Sequence, residues 1–372
     1  MSADPTRSVP PVEPSCPDCD APRPNALPSR RDVLKRAAGG AVVASAASAG
    51  LFSLVVRPRS LLAGEAGAAL PGAAKGATSE TLVGQLYGSL TDSQKKAICF
   101  PFDHELRSKV DNNWFIVDKR IGQVLSKDQQ ALVKDIFMGI HSEEYAQKVF
   151  DQVEHDGNGP GSFNECSVAL FGEPDKSGDA DKGKFEFVLT GRHCTRRCDG
   201  NSVAGTAFGG PIFYGHAAKS FNEPATHPGN AYWFQALRAN EVFKALDGRQ
   251  QQLALRTDAR EEKGTQTVAL TGKKTGLPGI PLTELSSDQK GLVRKVMADL
   301  LAPFRKSDAD EAMKLIEKAG FDNLHMAFYK NMDIGDDRVW DVWQLEGPSM
   351  VWYFRGAPHV HTWVHVRDPK AM

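Results

Sequence analysis

The chain has 372 residues, 24% of them charged, and a formal net charge of −1. That balance is ordinary for a globular protein and excludes both a basic nucleic-acid footprint and a charged membrane-surface patch. The length allows one large domain or two moderate ones.

Residues 1–75 read as a targeting segment. Ser29-Arg30-Arg31-Asp32-Val33-Leu34-Lys35 precedes a mildly hydrophobic stretch of small residues, Ala37 to Val56, and alanine-rich sites follow at Ala63 to Ala69. This is the pattern of a twin-arginine export signal removed shortly after. It implies the Tat export machinery as a partner, a periplasmic or extracellular destination, and no stable membrane span in the mature chain. The stretch is long enough to cross a bilayer, but its Gly and Ala content makes it a poor span. Cys16 and Cys19 would leave with the signal. Cys99, Cys166, Cys194 and Cys198 remain, and in an oxidising compartment four cysteines permit three pairings among which the sequence does not choose.

Residues 76–372 then form a single α+β domain. Four segments carry a helix-start signature: Thr91 before Gln94, Ser126 before Gln129, Asp247 before Gln250, and Ser286 before Gln289, each preceded by Leu. In such a capping box the first side chain accepts from an orphan backbone N–H while the Gln reaches back to the cap. Downstream of Gln129 come Leu132, Val133, Ile136 and Ile140. Leu292, Val293, Val296 and Leu300 repeat that stripe 160 residues later, as an internal duplication would, with pseudo-repeats at about 82–200 and 235–369. The expected architecture is helix pairs on a largely antiparallel sheet with pseudo-twofold symmetry. Asp199 to Asn230, dense in Gly, Pro and Asn, is expected to form long loops, and Asp175 to Gly183 and Asp258 to Leu282 surface turns.

The most unusual segment is PHVHTWVHV, from Pro358 to Val366. Its β-branched alternate positions predict a strand that places His359, His361, Trp363 and His365 on one face. Two imidazoles about 7 Å apart on a strand can converge on one ion. His365, further along, would serve a neighbouring role or none. A third ligand is needed, and the KFEFVLTGRHCTRRC segment of the first half supplies His193, matched to His361 by the proposed repeat; His216 and His227 in the glycine-rich loops are weaker candidates. The same imidazoles could instead satisfy one another or backbone carbonyls in a half-buried face. Arg192, Arg196 and Arg197 could present guanidinium forks to an anionic small-molecule substrate, or form a solvated strand edge. Cys194 and Cys198 share a strand face if GRHCTRRC is extended, whereas a turn after Thr195 would allow a disulfide or a His–Cys ligand pair. Phe208, Phe213, Tyr214, Trp233, Trp352 and Trp363 would line a pocket or fill the core. No nucleophile elbow, phosphate-cradling glycine loop or zinc-protease helix motif is present.

The ending LEGPSMVWYFRGAPHVHTWVHVRDP resembles the closing signature of the family catalogued as domain of unknown function 3500: Gly-Pro, an extended segment, His-x-His and Arg-Asp-Pro. The helix starts and GRHCT are also similar to it, over about Leu82 to Pro369. Two departures stand out: Arg192-His193 replaces paired histidines, and aromatics at Val351 to Phe354 replace an acidic residue. The resemblance implies fold and export rather than an activity, since none is established for the family. The residues themselves point to an exported metal-dependent enzyme, hydrolytic or oxidative, using zinc, copper or iron. His193, His359 and His361 would be the ligands, and Arg192, Arg196, His365 and Trp363 the substrate contacts. The alternative is a non-catalytic exported protein that binds a metal or small molecule.

Overall fold

The computed structural model describes residues 77–371, apart from 158, 217–229, 332, 334–338 and 357–358. The export-signal region, Cys16, Cys19 and His227 lie outside the described residues. Within them, helices α1 (Ser79–Ser89) and α2 (Asp92–Ile98) lead into β1 (Cys99–Phe100). The short α3 (Ile121–Val124), then α4 (Lys127–Gly139) and α5 (Ala146–Asp156), precede β2 (Ser167–Gly172), β3 (Phe185–Gly191), β4 (Cys194–Cys198) and β5 (Ile212–His216). The chain then repeats the alternation with α6 (Trp233–Ala245), α7 (Gly248–Ala254), β6 (Leu255–Arg256), β7 (Ile280–Pro281), α8 (Ser287–Leu301) and α9 (Lys306–Ala319). It ends in β8 (His325–Tyr329), β9 (Val342–Glu346), β10 (Met350–Arg355) and β11 (Val360–Val366).

All four capping boxes form. Thr91, Ser126, Asp247 and Ser286 cap α2, α4, α7 and α8, and each Gln returns to its cap. The Gln amides do a second job by pairing across helices. Gln94 Nε2 donates to Gln129 Oε1 at 2.7 Å, and Gln289 Nε2 to Gln250 Oε1 at 2.7 Å, so neighbouring helix starts are fixed to each other as well as capped.

The strands make one sheet in the order β1-β2-β3-β4-β5-β11-β10-β9-β8-β6, with β7 added to β8. Among the described residues only the β1–β2 and β6–β8 pairings are parallel, so the fold is α+β with a mostly antiparallel sheet. Side-chain alternation splits the core in two. Tyr214, Trp352, Phe354, Val360 and Val364 face the helices. Phe213, Val351, Tyr353 and Trp363 face the other way, beneath Val110 and Val268. No described helix is long and apolar enough to cross a membrane.

Three expectations need correction. The Gly-rich stretch after Asp199 is not all loop, because IFYGH within it is β5, paired with β11 at the centre of the sheet. A short aromatic strand flanked by glycines carries too little periodicity to be read. GRHCTRRC is neither one strand nor turned after Thr195: Gly191 pairs with Cys194, so the turn is Arg192-His193. His193 and His361 are also not matching positions of two halves. Outward from the β5–β11 junction the strands run β4, β3 on one side and β10, β9 on the other. The turn holding His193 therefore answers to the β9–β10 turn, while His361 lies within β11.

Candidate metal centre

Three backbone features bring the imidazoles together at one end of the central strands. His193 sits in the two-residue turn with a left-handed φ of 51°, an uncommon conformation for a non-glycine residue, and its N–H donates to the Asn112 carbonyl at 2.8 Å. His359 enters β11 and His361 is its second residue. Opposite His361 stands Gly215. A Cβ there would come within 2.3 Å of the Val360 carbonyl oxygen and 3.4 Å of the His193 Cβ, so glycine is what allows β5, β11 and the His193 turn to close up.

The result is a cluster of three buried rings. His361 Nε2 lies 2.9 Å from His359 Nε2 and 3.1 Å from His193 Nε2. The other nitrogens of two of these rings face carboxylates. His193 Nδ1 is 2.8 Å from Asp156 Oδ2, and His361 Nδ1 is 2.7 Å from Glu262 Oε2. An ionised carboxylate only accepts, so His193 Nδ1 carries the proton and His193 Nε2 presents a lone pair, whereas His361 Nδ1 meets both the Glu262 carboxylate, an acceptor, and the Arg355 guanidinium, a donor. The His193 Nε2 lone pair, 3.1 Å from His361 Nε2, is met there by an N–H or by a shared cation.

Asp156 is held in turn by Gln152, whose Nε2 donates to Oδ2 at 2.7 Å. Glu262 Oε1 pairs with Arg355 Nε at 2.7 Å; Arg355 Nη2 also lies against His361 Nδ1, and Trp363 lies against the Glu262 carboxyl. Burial raises the Glu262 pKa, and Arg355 and Trp363 oppose that rise. His361 is pushed well below the ordinary imidazole value, first by burial and then by the Arg355 guanidinium and the neighbouring His359 and His193 rings. A neutral imidazole held by a carboxylate at Nδ1 is the form that ligates a metal through Nε2. At the usual metal–nitrogen length, tetrahedral ligands stand about 3.3 Å apart, close to the separations seen here.

The family described as Protein of unknown function (DUF3500) matches residues 74–371. The chain belongs to this family. No curated protein and no solved structure matches it.

In this DUF3500 chain the three expected ligands meet, and one ligand atom from each lies within 4.8 Å of the others. The expected substrate contacts divide between the site face and the opposite side of the sheet. Arg192 stays beside the site, half-buried in the His193 turn, where it bridges Asn113. Arg196 was expected at the site but points to the helix side of β4. Its Nε is 3.1 Å from His141 Nε2, and its Nη1 and Nη2 donate to the Phe213 carbonyl and the Tyr232 hydroxyl. Arg197 is buried against Glu186 and backbone carbonyls. Trp363 and His365 continue the site face along β11. Trp363 packs edge-on to Phe213, and His365 Nδ1 donates to the Val268 carbonyl at 3.2 Å. The described cysteines Cys99, Cys166, Cys194 and Cys198 are thiols, none in a disulfide.

Sequence reasoning missed Asp156, Glu262 and Arg355. Glu262 lies in a charged run taken for a surface turn, yet the 3-10 turn Gly264–Val268 just after it seals the site face of the sheet. Asp156 ends an amphipathic helix where an acid reads as solvated. Both reach the imidazoles only through contacts distant in sequence.

Proposed function

We propose that the protein is a metal-dependent enzyme in which the Nε2 atoms of His193, His359 and His361 hold a single transition-metal ion. The observation that carries this reading is the convergence of three imidazole nitrogens while carboxylates occupy Nδ1 of two of the rings. Three neutral nitrogens suit zinc, copper or iron. The Asp156 and Glu262 carboxylates balance the charge of a divalent ion, orient the rings and raise their donor strength. Three protein ligands leave a further position for water or substrate, as catalytic sites do and closed structural sites do not. A zinc ion there would generate hydroxide near neutral pH, and copper or iron would support oxidation. We assign to Arg192, next to His193 in the β3–β4 turn, contact with an anionic group on a small-molecule substrate.

Stripped protein titrated with Co²⁺ tests this reading. It should develop the visible bands of a tetrahedral nitrogen site, and azide should shift them by entering the open position. Bands that ignore azide would replace the enzyme with a closed metal-binding protein, and absence of bands would remove the metal.

We further propose export by the twin-arginine route, supported by Arg30-Arg31 and the small-residue stretch behind them. Replacing both arginines with lysine should retain the protein inside the cell; unimpaired export would refute the route.

A further inference from the structure

Helix α5 and strand β5 build a second constellation beside the first. His155 and Asp156 are consecutive at the end of α5 and His216 closes β5, with one ligand atom from each within 4.8 Å of the others. Asp156 divides its two oxygens. Oδ2 accepts from His193 Nδ1 and Gln152 Nε2, while Oδ1 stands 3.7 Å from His216 Nδ1. That gap is too long for a hydrogen bond. It is the separation shown by two ligands that each lie about 2.1 Å from one ion at an open angle. The His155 and His216 rings lie roughly parallel, with centroids 5.4 Å apart. Asp156 and His216 are buried, and His155 is partly exposed.

We propose that His155, Asp156 Oδ1 and His216 bind a second divalent transition-metal ion. Two imidazoles and one carboxylate form a set that suits ferrous iron, cobalt or zinc and leaves coordination positions open. Asp156 thereby links the two centres, orienting His193 through one oxygen and ligating the second ion through the other. The inference uses none of His193, His359 or His361 as ligands and does not depend on the three-histidine site being loaded.

Calorimetric titration of the chelator-stripped full chain with Zn²⁺ tests it, using the parent, His155→Ala, His216→Asn and His359→Ala. The parent should take two equivalents. His155→Ala and His216→Asn should each lose one, or bind it at least about tenfold more weakly, while His359→Ala keeps the equivalent they lose. Because the His155 side chain is half-exposed, its removal should leave the far-ultraviolet circular dichroism unchanged. A parent that binds one equivalent, lost in His155→Ala and kept in His359→Ala, supports the second site even though the first has failed. Unchanged stoichiometry and affinity in both His155→Ala and His216→Asn overturns it, as does a single equivalent that only His359→Ala removes.

Discussion

Acid should unfold this protein through its neutral buried histidines, and His141 gives the cleanest measure. The residue is 4% exposed. Its Nδ1 donates to the Phe137 carbonyl at 2.7 Å, and its Nε2 faces Arg196 Nε at 3.1 Å. Burial, and then the Arg196 charge, push its pKa from 6.5 down to about 3. The folded state therefore binds fewer protons than the unfolded state between those values. The stabilisation is fully present above pH 6.5 and is lost as pH falls toward 3. At about 1.4 kcal/mol per pH unit, the loss is about 2 kcal/mol by pH 5 and on the order of 5 kcal/mol across the whole window. Glutamine can accept from Arg196 and donate to Phe137 without titrating. Urea unfolding of the parent and His141→Gln, with chelator present, at pH 7 and pH 5 isolates the effect. The other groups cancel in the comparison: His365, pushed down to about 4, works in the same direction, while Asp199 and Glu311, raised to about 6 and about 7, work against it. The parent should lose about 2 kcal/mol more than the variant between the two pH values. Equal losses would refute the reasoning.

Glu262→Gln should weaken metal binding about 10- to 100-fold, because it removes the carboxylate that faces His361, and should also cost stability, because the same carboxylate pairs with buried Arg355; competition against a chromogenic chelator, on protein shown folded by circular dichroism, measures the first effect, and an unchanged affinity would mean that Glu262 does not act through His361. Glu186 is fully buried between Arg197 and Arg107, so Glu186→Gln should cost about 3–5 kcal/mol by leaving buried guanidinium charge uncompensated; an unaltered thermal midpoint would contradict that. Gly215→Ala should damage metal binding and stability together, since its Cβ meets the Val360 carbonyl; full metal content in a well-folded variant would show that the close approach is dispensable. Ser286→Ala, which removes the α8 cap, should cost about 1 kcal/mol and leave metal content untouched, as paired unfolding and metal measurements would show.

Local chemistry is what the sequence made legible. A capping box is written in four consecutive residues, so all four helix starts could be placed, and the alternation of β11 was visible because it spans seven residues with β-branched partners. The His-x-His pair and His193 stood out for the same reason. What brings them together was not visible. Strand order decides that β11 lies against β5, and a left-handed turn residue with an opposing glycine decides that His193 reaches the pair. Matching His193 to His361 through a repeat named two residues that do lie together, by the wrong route. Asp156 and Glu262 escaped notice because a carboxylate that orients a ligand has no signature apart from the ligand, which lies 37 residues away for one and 99 for the other.

Metal analysis by mass spectrometry on untagged protein, parent and His361→Ala, is the most direct measurement. The account predicts that the variant, folded as judged by circular dichroism, carries one transition-metal equivalent fewer than the parent. A parent with under about a tenth of an equivalent at neutral pH, or a variant with the parent's full content, would mean that the three imidazoles meet around something other than a metal.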